Sequence, residues 1–232
     1  MTSVGVPSES WVDRAVERSA AVQRSRLRIA KQVRQMLDAA QRLIADKGDE
    51  FTTQELVTEA GVALQTFYRY FASKDELLLA VIGDAMVVAC EHWVANAAQL
   101  PDPLARLRYY VLSTLERLDG DSRNAAMSRF VVSTRWRLHR QFPEDLAEAE
   151  KPFVDLVRGE VGAAIEAGLL NPPDPDWDSW FLAELMRAVY HFYAFAAHSE
   201  GELDDVKDRL WRFCLAALGG RPETVREKGV AP

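Results

Sequence analysis

Apolar residues recur at intervals of three and four along most of the chain, and this spacing limits the possible fold more than any other feature. No stretch alternates apolar and polar residues for long, and no Asn-Gly or Asp-Gly pair joins two β-branched runs, as in a hairpin. With 48% hydrophobic and 27% charged residues among 232, the chain can bury a large core and is too apolar for a disordered protein. We therefore expect an all-α fold.

Glycine, proline and short polar segments divide this pattern into successive helices. The expected bounds are about 27–46, 53–60, 63–70, 74–98, 103–118, 122–140, 144–167, 176–198 and 202–218. Proline removes a backbone donor and blocks the preceding turn, so we expect Pro152 to break or restart the helix at 144–167.

The segment "GVALQTFYRYFASKDELL" follows a short helix and begins with a glycine, which suits a helix-turn-helix. Phe67 and Phe71 are expected to point into the core, while Gln65, Thr66 and Arg69 point outward and Tyr68 lies at the edge. Glutamine can pair with adenine, arginine with guanine, and threonine with a thymine methyl group or a phosphate. A generic three-helix core would show much of the same pattern, so spacing alone leaves both interpretations open.

The stretch "FTTQELVTEAGVALQTFYRYFASKDELL", preceded by "MLDAAQRLIADKG", resembles the DNA-binding domain of the TetR (tetracycline-repressor) family of bacterial regulators. The resemblance implies DNA contacts by Thr53 on the second helix and a phosphate contact by Lys74 at the start of the fourth. On the third helix it implies further DNA contacts by Gln65, Thr66, Tyr68 and Tyr70. Gln65 departs from the family pattern, which often has a small residue there, and Val57 stands where alanine is usual.

The resemblance also implies a division of the chain into four parts. These are a flexible basic arm (1–24), a helix-turn-helix domain (25–72), a helical effector-binding and dimerisation domain (73–220) and a disordered tail (221–232). It implies a homodimer formed through the helices at about 176–198 and 202–218, bound to a pseudo-palindromic operator on double-stranded DNA.

Basic residues concentrate near the N-terminus, although the whole chain has a net charge of −7. One interpretation of this local excess is a solvated helix face. In family members with long N-terminal extensions, arginines can reach the neighbouring minor groove, and here Arg24, Arg26 and Arg28 are the candidates.

The remainder of the chain is rich in large aromatic side chains, which either fill a helical core or line a ligand cavity. The residues expected at a mostly apolar effector are Trp93, Tyr110, Phe130, Trp136, Trp180, Glu184, Arg187 and His191. The last three form a polar stripe on one helix, which is consistent with a structural ion pair, a dimer contact or a ligand's polar end.

A second basic stretch, "RFVVSTRWRLHRQF", places four arginines around Trp136. These arginines are Arg129, Arg135, Arg137 and Arg140. A solvated face is the simpler interpretation, and a docking surface for an anionic ligand such as an acyl-CoA head group is the alternative.

The sequence therefore predicts a ligand-responsive transcriptional regulator, most readily a repressor released from its operator by the effector. An activator, a co-repressor-dependent regulator and a helical small-molecule carrier are the alternatives. We expect no enzyme, since no nucleophile–base pair, phosphate loop or metal motif is present, and no cofactor or metal.

Cys90 and Cys214 are expected to be small buried hydrophobes. The longest apolar stretch is interrupted by Asp84, short of the roughly 18 residues of a membrane span, and the N-terminus lacks the layout of a secretory signal. We expect a cytoplasmic location.

Overall fold

The computed structural model describes residues 11, 16, 18–116, 118, 122–196 and 202–221, and its regular structure within these residues is entirely α-helical. Most of the predicted N-terminal arm, the predicted tail after Arg221 and the last part of the predicted helix 176–198 lie outside this part of the chain. The helices are α1 Ala20–Lys47, α2 Thr53–Ala60, α3 Leu64–Tyr70, α4 Lys74–Ala97, α5 Pro103–Glu116, α6 Ser122–Gln141, α7 Pro143–Glu166, α8 Pro175–Tyr193 and α9 Glu202–Ala217.

Three helices differ from the sequence-based expectation. Helix α8 ends at Tyr193 rather than near residue 198, and residues 194–196 form a turn. Helix α1 begins at Ala20 rather than near Leu27, because no glycine or proline interrupts a run rich in alanine, arginine and glutamine. The prediction that Pro152 breaks α7 is wrong, since the helix continues through it. Phe153 and Val157, just beyond the proline, are buried, and their packing holds the helix in spite of the missing hydrogen bond.

Helix α2 is fixed at both ends by local hydrogen bonds. The Thr52 backbone N–H donates to Glu55 Oε2 at 2.7 Å, and the Glu55 N–H donates back to Thr52 Oγ1 at 3.1 Å. Hydrogen bonds from Lys47 and Thr52 lower the pKa of Glu55 to about 2. At the other end Gly61 has a φ of 65°, a left-handed conformation that glycine adopts without steric cost. The tight turn into α3 depends on this conformation.

Two hydrophobic cores share helix α4. Its first half, including Leu77 and Ile82, is buried with α1–α3, a unit that we call the head. Its second half, including Trp93, is buried with α5 and α7–α9, which we call the body. Phe130 and Leu138 of α6 belong to the head core, so that core continues past the predicted domain boundary at residue 72.

Helix α4 is long and apolar enough to cross a membrane by length and composition, in contrast to the expectation from Asp84. In this fold it lies between the two cores, with nine of its side chains buried. The Asp84 carboxylate accepts two hydrogen bonds from the Arg34 guanidinium of α1, both 2.7 Å long. The one acidic side chain in the middle of this helix is therefore paired.

Candidate DNA-binding surface and body cavity

Helix α3 has a core face and an outer face as the sequence predicts, but Thr66 and Tyr68 exchange their expected positions. Phe67 is completely buried, while Gln65, Tyr68 and Arg69 are exposed and Thr66 is half-buried. The Tyr68 ring packs edge-on against Phe67 with the ring centroids 5.1 Å apart, and 55% of the residue remains exposed. A polar, donor-rich face of this kind can contact base edges in the major groove.

The C-terminal end of α3 is tied to α1 through Gln32. The Tyr70 hydroxyl donates to Gln32 Oε1 at 2.7 Å, and Arg69 Nη2 donates to the same oxygen at 3.2 Å. Arg69 Nη2 also donates to the Tyr70 hydroxyl at 3.2 Å. Tyr70 is half-buried, so it orients the recognition helix, whereas Arg69 combines this anchor with an exposed guanidinium.

Lys74 points inward, toward the loop between α1 and α2. Its ammonium donates to the carbonyl oxygens of Asp49 and Phe51, the latter at 2.7 Å, and lies 4.5 Å from the centroid of the Phe51 ring. Burial lowers the pKa of the Lys74 ammonium. The sequence predicts a phosphate contact here, and two of the three ammonium donors are already used by the loop. Thr53 is half-buried at the first position of α2.

Arg24, Arg26 and Arg28 lie on the first turns of α1, on a helix rather than on an extended arm, and all three are exposed. The first turn of α1 has no acidic residue. Residues 20–31 are exposed or half-buried, and at 1.5 Å per residue they extend the helix about 18 Å from the packed part of the head.

The body contains a cavity of about 120 Å³ between α4, α5, α6, α7 and α8. Three of the predicted ligand residues line it, namely Trp93, Arg187 and His191. The other lining residues are Ile82, Ala85, Met86, Ala89, Thr114, Met127, Ser128, Val131, Glu150, Phe153 and Tyr190. Apolar walls with a few polar groups at one end are typical of a small-molecule site.

The remaining predicted ligand residues lie outside the cavity lining. Tyr110 is buried in the body core and Phe130 in the head core. Trp136 is 67% exposed and stacks on His139, while Trp180 is 40% exposed among the aromatic residues of α8. Glu184 is adjacent to the site only through its ion pair with Arg187. Helical spacing cannot distinguish a cavity-lining position from a core or surface position, because it does not show which helix packs on each face.

Glu150 is the charged lining residue that the sequence analysis misses. It lies in the acidic stretch "PEDLAEAEK", which is typical of a solvated helix, yet only 8% of the residue is exposed. Arg135 Nε and Nη2 donate to its two carboxylate oxygens at 2.6 and 3.0 Å. A carboxylate at this depth is stable because it is paired in this bidentate geometry.

Charged groups from three helices meet at the polar end of the cavity. Arg187 of α8 lies between Glu150 of α7, at 3.4 Å, and Glu184 of its own helix, to which it donates a hydrogen bond. Burial, together with the guanidinium groups of Arg135 and Arg187, lowers the pKa of His191 to about 4. His191 is consequently a neutral imidazole at physiological pH, with one donor and one acceptor.

Arg137, two residues after Arg135 on α6, links this helix to two segments of the head. Its guanidinium donates to Asp49 Oδ2 at 2.8 Å in the loop after α1, and also to Asp75 in the first turn of α4. Arg135 and Arg137 are therefore both bound to carboxylates, in contrast to the solvated face that the sequence favours. Helix α6 therefore connects the polar end of the cavity to the loop after α1 and to the first turn of α4, on either side of the helix-turn-helix.

Large aromatic residues are exposed along one side of α8 and on α9. Trp177, Phe181, Phe192 and Phe195 are between 58% and 65% exposed, and Phe213 of α9 is 64% exposed. On α8, positions 177, 181, 188 and 192 follow the spacing of a single helix face. Exposed aromatic residues that share one helix face usually mark an interaction surface.

Neither cysteine has the surroundings of a reactive thiol. Cys90 and Cys214 are both buried, and burial raises the pKa of the Cys214 thiol to about 12. Within the part of the chain that the structure describes, no three His, Cys, Asp or Glu side chains are grouped as for a metal ion.

The sequence profile described as "Bacterial regulatory proteins, tetR family" matches residues 36–81. This match runs from the middle of α1 through the helix-turn-helix to the head half of α4. The chain carries a TetR-family DNA-binding domain. Comparison with curated proteins by sequence gave no match.

Solved structures extend the likeness from this N-terminal domain to the body. The fatty acid degradation regulator FadR from Bacillus halodurans has 18% identity and a TM-score of 0.64, covering 82% of this chain and 97% of its own. FadR from Bacillus subtilis in complex with stearoyl-CoA has 18% identity and a TM-score of 0.63, covering 79% and 97%. RolR in complex with resorcinol has 18% identity and a TM-score of 0.60, covering 84% and 91%. These similarities establish a shared fold over head and body.

The depressed pKa of His191 predicts a specific pH dependence of stability. Between about pH 6.5 and pH 4 the unfolded chain binds a proton at this residue and the folded chain does not, so the free energy of unfolding falls as the pH falls. In the His191→Gln variant we expect the free energy of unfolding to fall by about 2 kcal/mol less than in the wild type over this pH range. This value allows for screening by water at a half-buried group. Urea unfolding at pH 7 and pH 4.5 measures it, with His139→Gln as the exposed control. Parallel pH profiles for wild type and His191→Gln would contradict it.

Proposed function

We propose that this protein is a homodimeric repressor that leaves its operator when a small molecule occupies the body cavity. The observation that carries the proposal is the continuity between the two sites. The helix that closes the head core, α4, also lines the cavity with Ile82, Met86 and Trp93. FadR and RolR, which share the fold, are named with stearoyl-CoA and resorcinol as bound small molecules.

DNA recognition in this proposal depends on the exposed face of α3. Gln65 and Arg69 read base edges, while Thr66, Tyr68 and Thr53 position the helix on the phosphates. Tyr70 and Lys74 hold α3 and the α1–α2 loop in place, and the remaining donor of Lys74 is available to a phosphate. The exposed arginines at the start of α1 add sequence-independent contacts to the DNA backbone.

Two substitutions separate base reading from backbone contact. We expect Gln65→Ala to weaken operator binding by about 1–3 kcal/mol and to relax the preference at one base pair of each half-site. Arg28→Ala should weaken binding to all sequences alike and reduce the salt slope by about 0.9 for each phosphate that the protein no longer neutralises. Fluorescence anisotropy at several salt concentrations measures both, with Arg158→Ala on α7 as the control. A reduced salt slope in Gln65→Ala, or a changed base preference in Arg28→Ala, would contradict these roles.

The dimer in this proposal forms through the exposed aromatic face of α8 and α9. The face includes the exposed Ala188, whose small side chain allows two helices to approach closely. A two-fold dimer would present two copies of α3 to successive half-sites of the operator.

We expect the double substitution Phe181→Asp and Phe213→Asp to raise the dimer dissociation constant about 100-fold or more. Both rings are more than half exposed in the single chain, and aromatic residues contribute most to interfaces of this kind. Sedimentation velocity measures the oligomeric state, and circular dichroism checks that the variant remains helical. Val94→Asp changes an exposed apolar residue elsewhere on the surface and should leave the dimer intact. A double variant that remains a dimer would rule out this face.

The effector signal is proposed to reach the head through α6 as well as α4. Arg135 binds the cavity carboxylate Glu150, and Arg137 of the same helix holds Asp49 and Asp75 in the head. A ligand that changes the Glu150 pairing therefore acts on a helix that is directly bonded to both ends of the helix-turn-helix.

We expect Arg137→Gln to retain effector binding but to reduce the effector's influence on operator affinity at least about 5-fold. This coupling is typically 1–3 kcal/mol between allosteric sites. It is measured by titrating the operator in the absence and at saturation of effector. Asp75→Asn should reduce the coupling by a similar amount, and the double variant should reduce it no further. Arg140→Gln, an exposed arginine on the same helix, is the control, and unchanged coupling in Arg137→Gln would contradict this role.

The experiment that tests the proposed function as a whole is selection of binding sites from random duplex DNA by the purified protein at two salt concentrations. Enrichment of a two-fold-symmetric site, released when the body cavity is occupied, is the expected result. Sites bound more tightly in the presence of ligand would favour a co-repressor-dependent regulator. Absence of DNA binding under any condition would overturn the proposal in favour of a small-molecule carrier.

A further inference from the structure

We propose that the effector is a small organic carboxylate with a compact apolar body, and that Arg187 binds its carboxylate group. This inference rests on the proposed function, since it specifies the chemical class of molecule that the body cavity takes. The size of the cavity, the hydrogen-bonding state of its polar end and the exposure of Glu184 support it.

The apolar part of the cavity limits the body of the ligand. The walls are formed by Ile82, Met86, Trp93, Val131 and Phe153, and the volume is about 120 Å³. A cavity of about 150 Å³ lined by apolar side chains accommodates benzene. The cavity here is somewhat smaller, which limits the ligand body to a single ring or a short branched alkyl group and requires small shifts of the lining side chains for the larger of these.

The charged donor at the polar end is Arg187, whereas the one carboxylate in the lining is already paired. The two oxygens of Glu150 are already engaged by the bidentate Arg135 pair, at 2.6 and 3.0 Å. The hydroxyl of Thr114 donates to the carbonyl oxygen of Tyr110. Arg187 and the N–H of neutral His191 remain as donors at the lining, and a ligand group rich in acceptors complements them.

Arg187 has one long contact and one hydrogen bond to a partly exposed partner, Glu184, which a ligand carboxylate can replace. Its Nη2 lies 3.4 Å from Glu150 Oε2, longer than a normal N–H···O hydrogen bond of 2.7–3.2 Å. Its other partner, Glu184, has a side chain that is 37% exposed, whereas the Arg187 side chain is only 11% exposed. A ligand carboxylate can therefore pair with the buried guanidinium while Glu184 turns to solvent, so the number of buried charges remains balanced.

The electrostatic environment favours an anion at the same position. The guanidinium groups of Arg135 and Arg187 lower the pKa of His191 more than the carboxylates of Glu150 and Glu184 raise it. A site whose charges disfavour an imidazolium ion also disfavours a cationic ligand and stabilises a negative one.

Calorimetric titration of the full-length protein at pH 7 with matched pairs of compounds tests the inference. The pairs are benzoate with benzamide, and cyclohexanecarboxylate with cyclohexanecarboxamide, which differ in charge and hardly in shape. We expect each carboxylate to bind at least about 10-fold more tightly than its amide. Equal affinities within the pairs, or no binding of either carboxylate at millimolar concentration, would overturn the inference.

Two substitutions of opposite expected effect locate the anion. Arg187→Gln should remove the preference for the carboxylate, whereas Glu184→Gln should increase carboxylate affinity about 3-fold or more, because it removes a competing partner. Neither change should alter amide binding by a comparable factor. Since Arg187 is buried and its loss can destabilise the fold, the half-exposed Glu184 provides the independent variant, and weaker carboxylate binding by Glu184→Gln would overturn the inference. Arg158→Gln, on the exposed side of α7, is the matched control.

Operator release measured with the same compounds distinguishes this inference from the proposed function. Equal binding of acid and amide, with release of operator by both, would disprove the carboxylate class and leave the regulator intact. Arg187-dependent binding of the carboxylates without any effect on operator affinity would leave the anion site intact and disprove its role as the effector site.

Discussion

The sharing of helix α4 between two hydrophobic cores is the constraint on which the rest of this structure depends. Its first half is buried against α1–α3 and its second half against the body, so neither core is complete without it. Because protein interiors are closely packed, a displacement of the body half of α4 must be accommodated by the head half. The helix that forms the floor of the cavity is thus also a structural element of the DNA-binding domain.

Ion pairs give this shared helix a defined position relative to its neighbours. Arg34 holds α4 to α1 through Asp84, and Arg137 holds the first turn of α4 to α6 through Asp75. These pairs are partly exposed, so each contributes little to global stability. Their positions are more informative than their strength, since they join the shared helix α4 to α1 and to α6, the helix whose Arg135 binds the cavity carboxylate Glu150.

The head was predictable because its geometry is encoded locally. The capping box at Thr52 and Glu55, the left-handed Gly61 and the buried Phe67 all act within a few residues of one another. Lys74 was less predictable, because its backbone partners at Asp49 and Phe51 lie more than twenty residues away. The continuous α7 shows the same limit, since burial of Phe153 and Val157 by other helices outweighs the local effect of Pro152.

The sequence by itself determined the helical content, the turn at Gly61 and the outward position of Gln65 and Arg69, because helical periodicity assigns each residue to a face. Only the tertiary structure decided which faces meet. It buried Glu150 with Arg135 and Arg187, brought Trp93 and Phe153 to the cavity, and left Trp136 on the surface. A buried charge is stable only beside its partner, and these partners are 15 and 37 residues apart in sequence, beyond the reach of any local pattern.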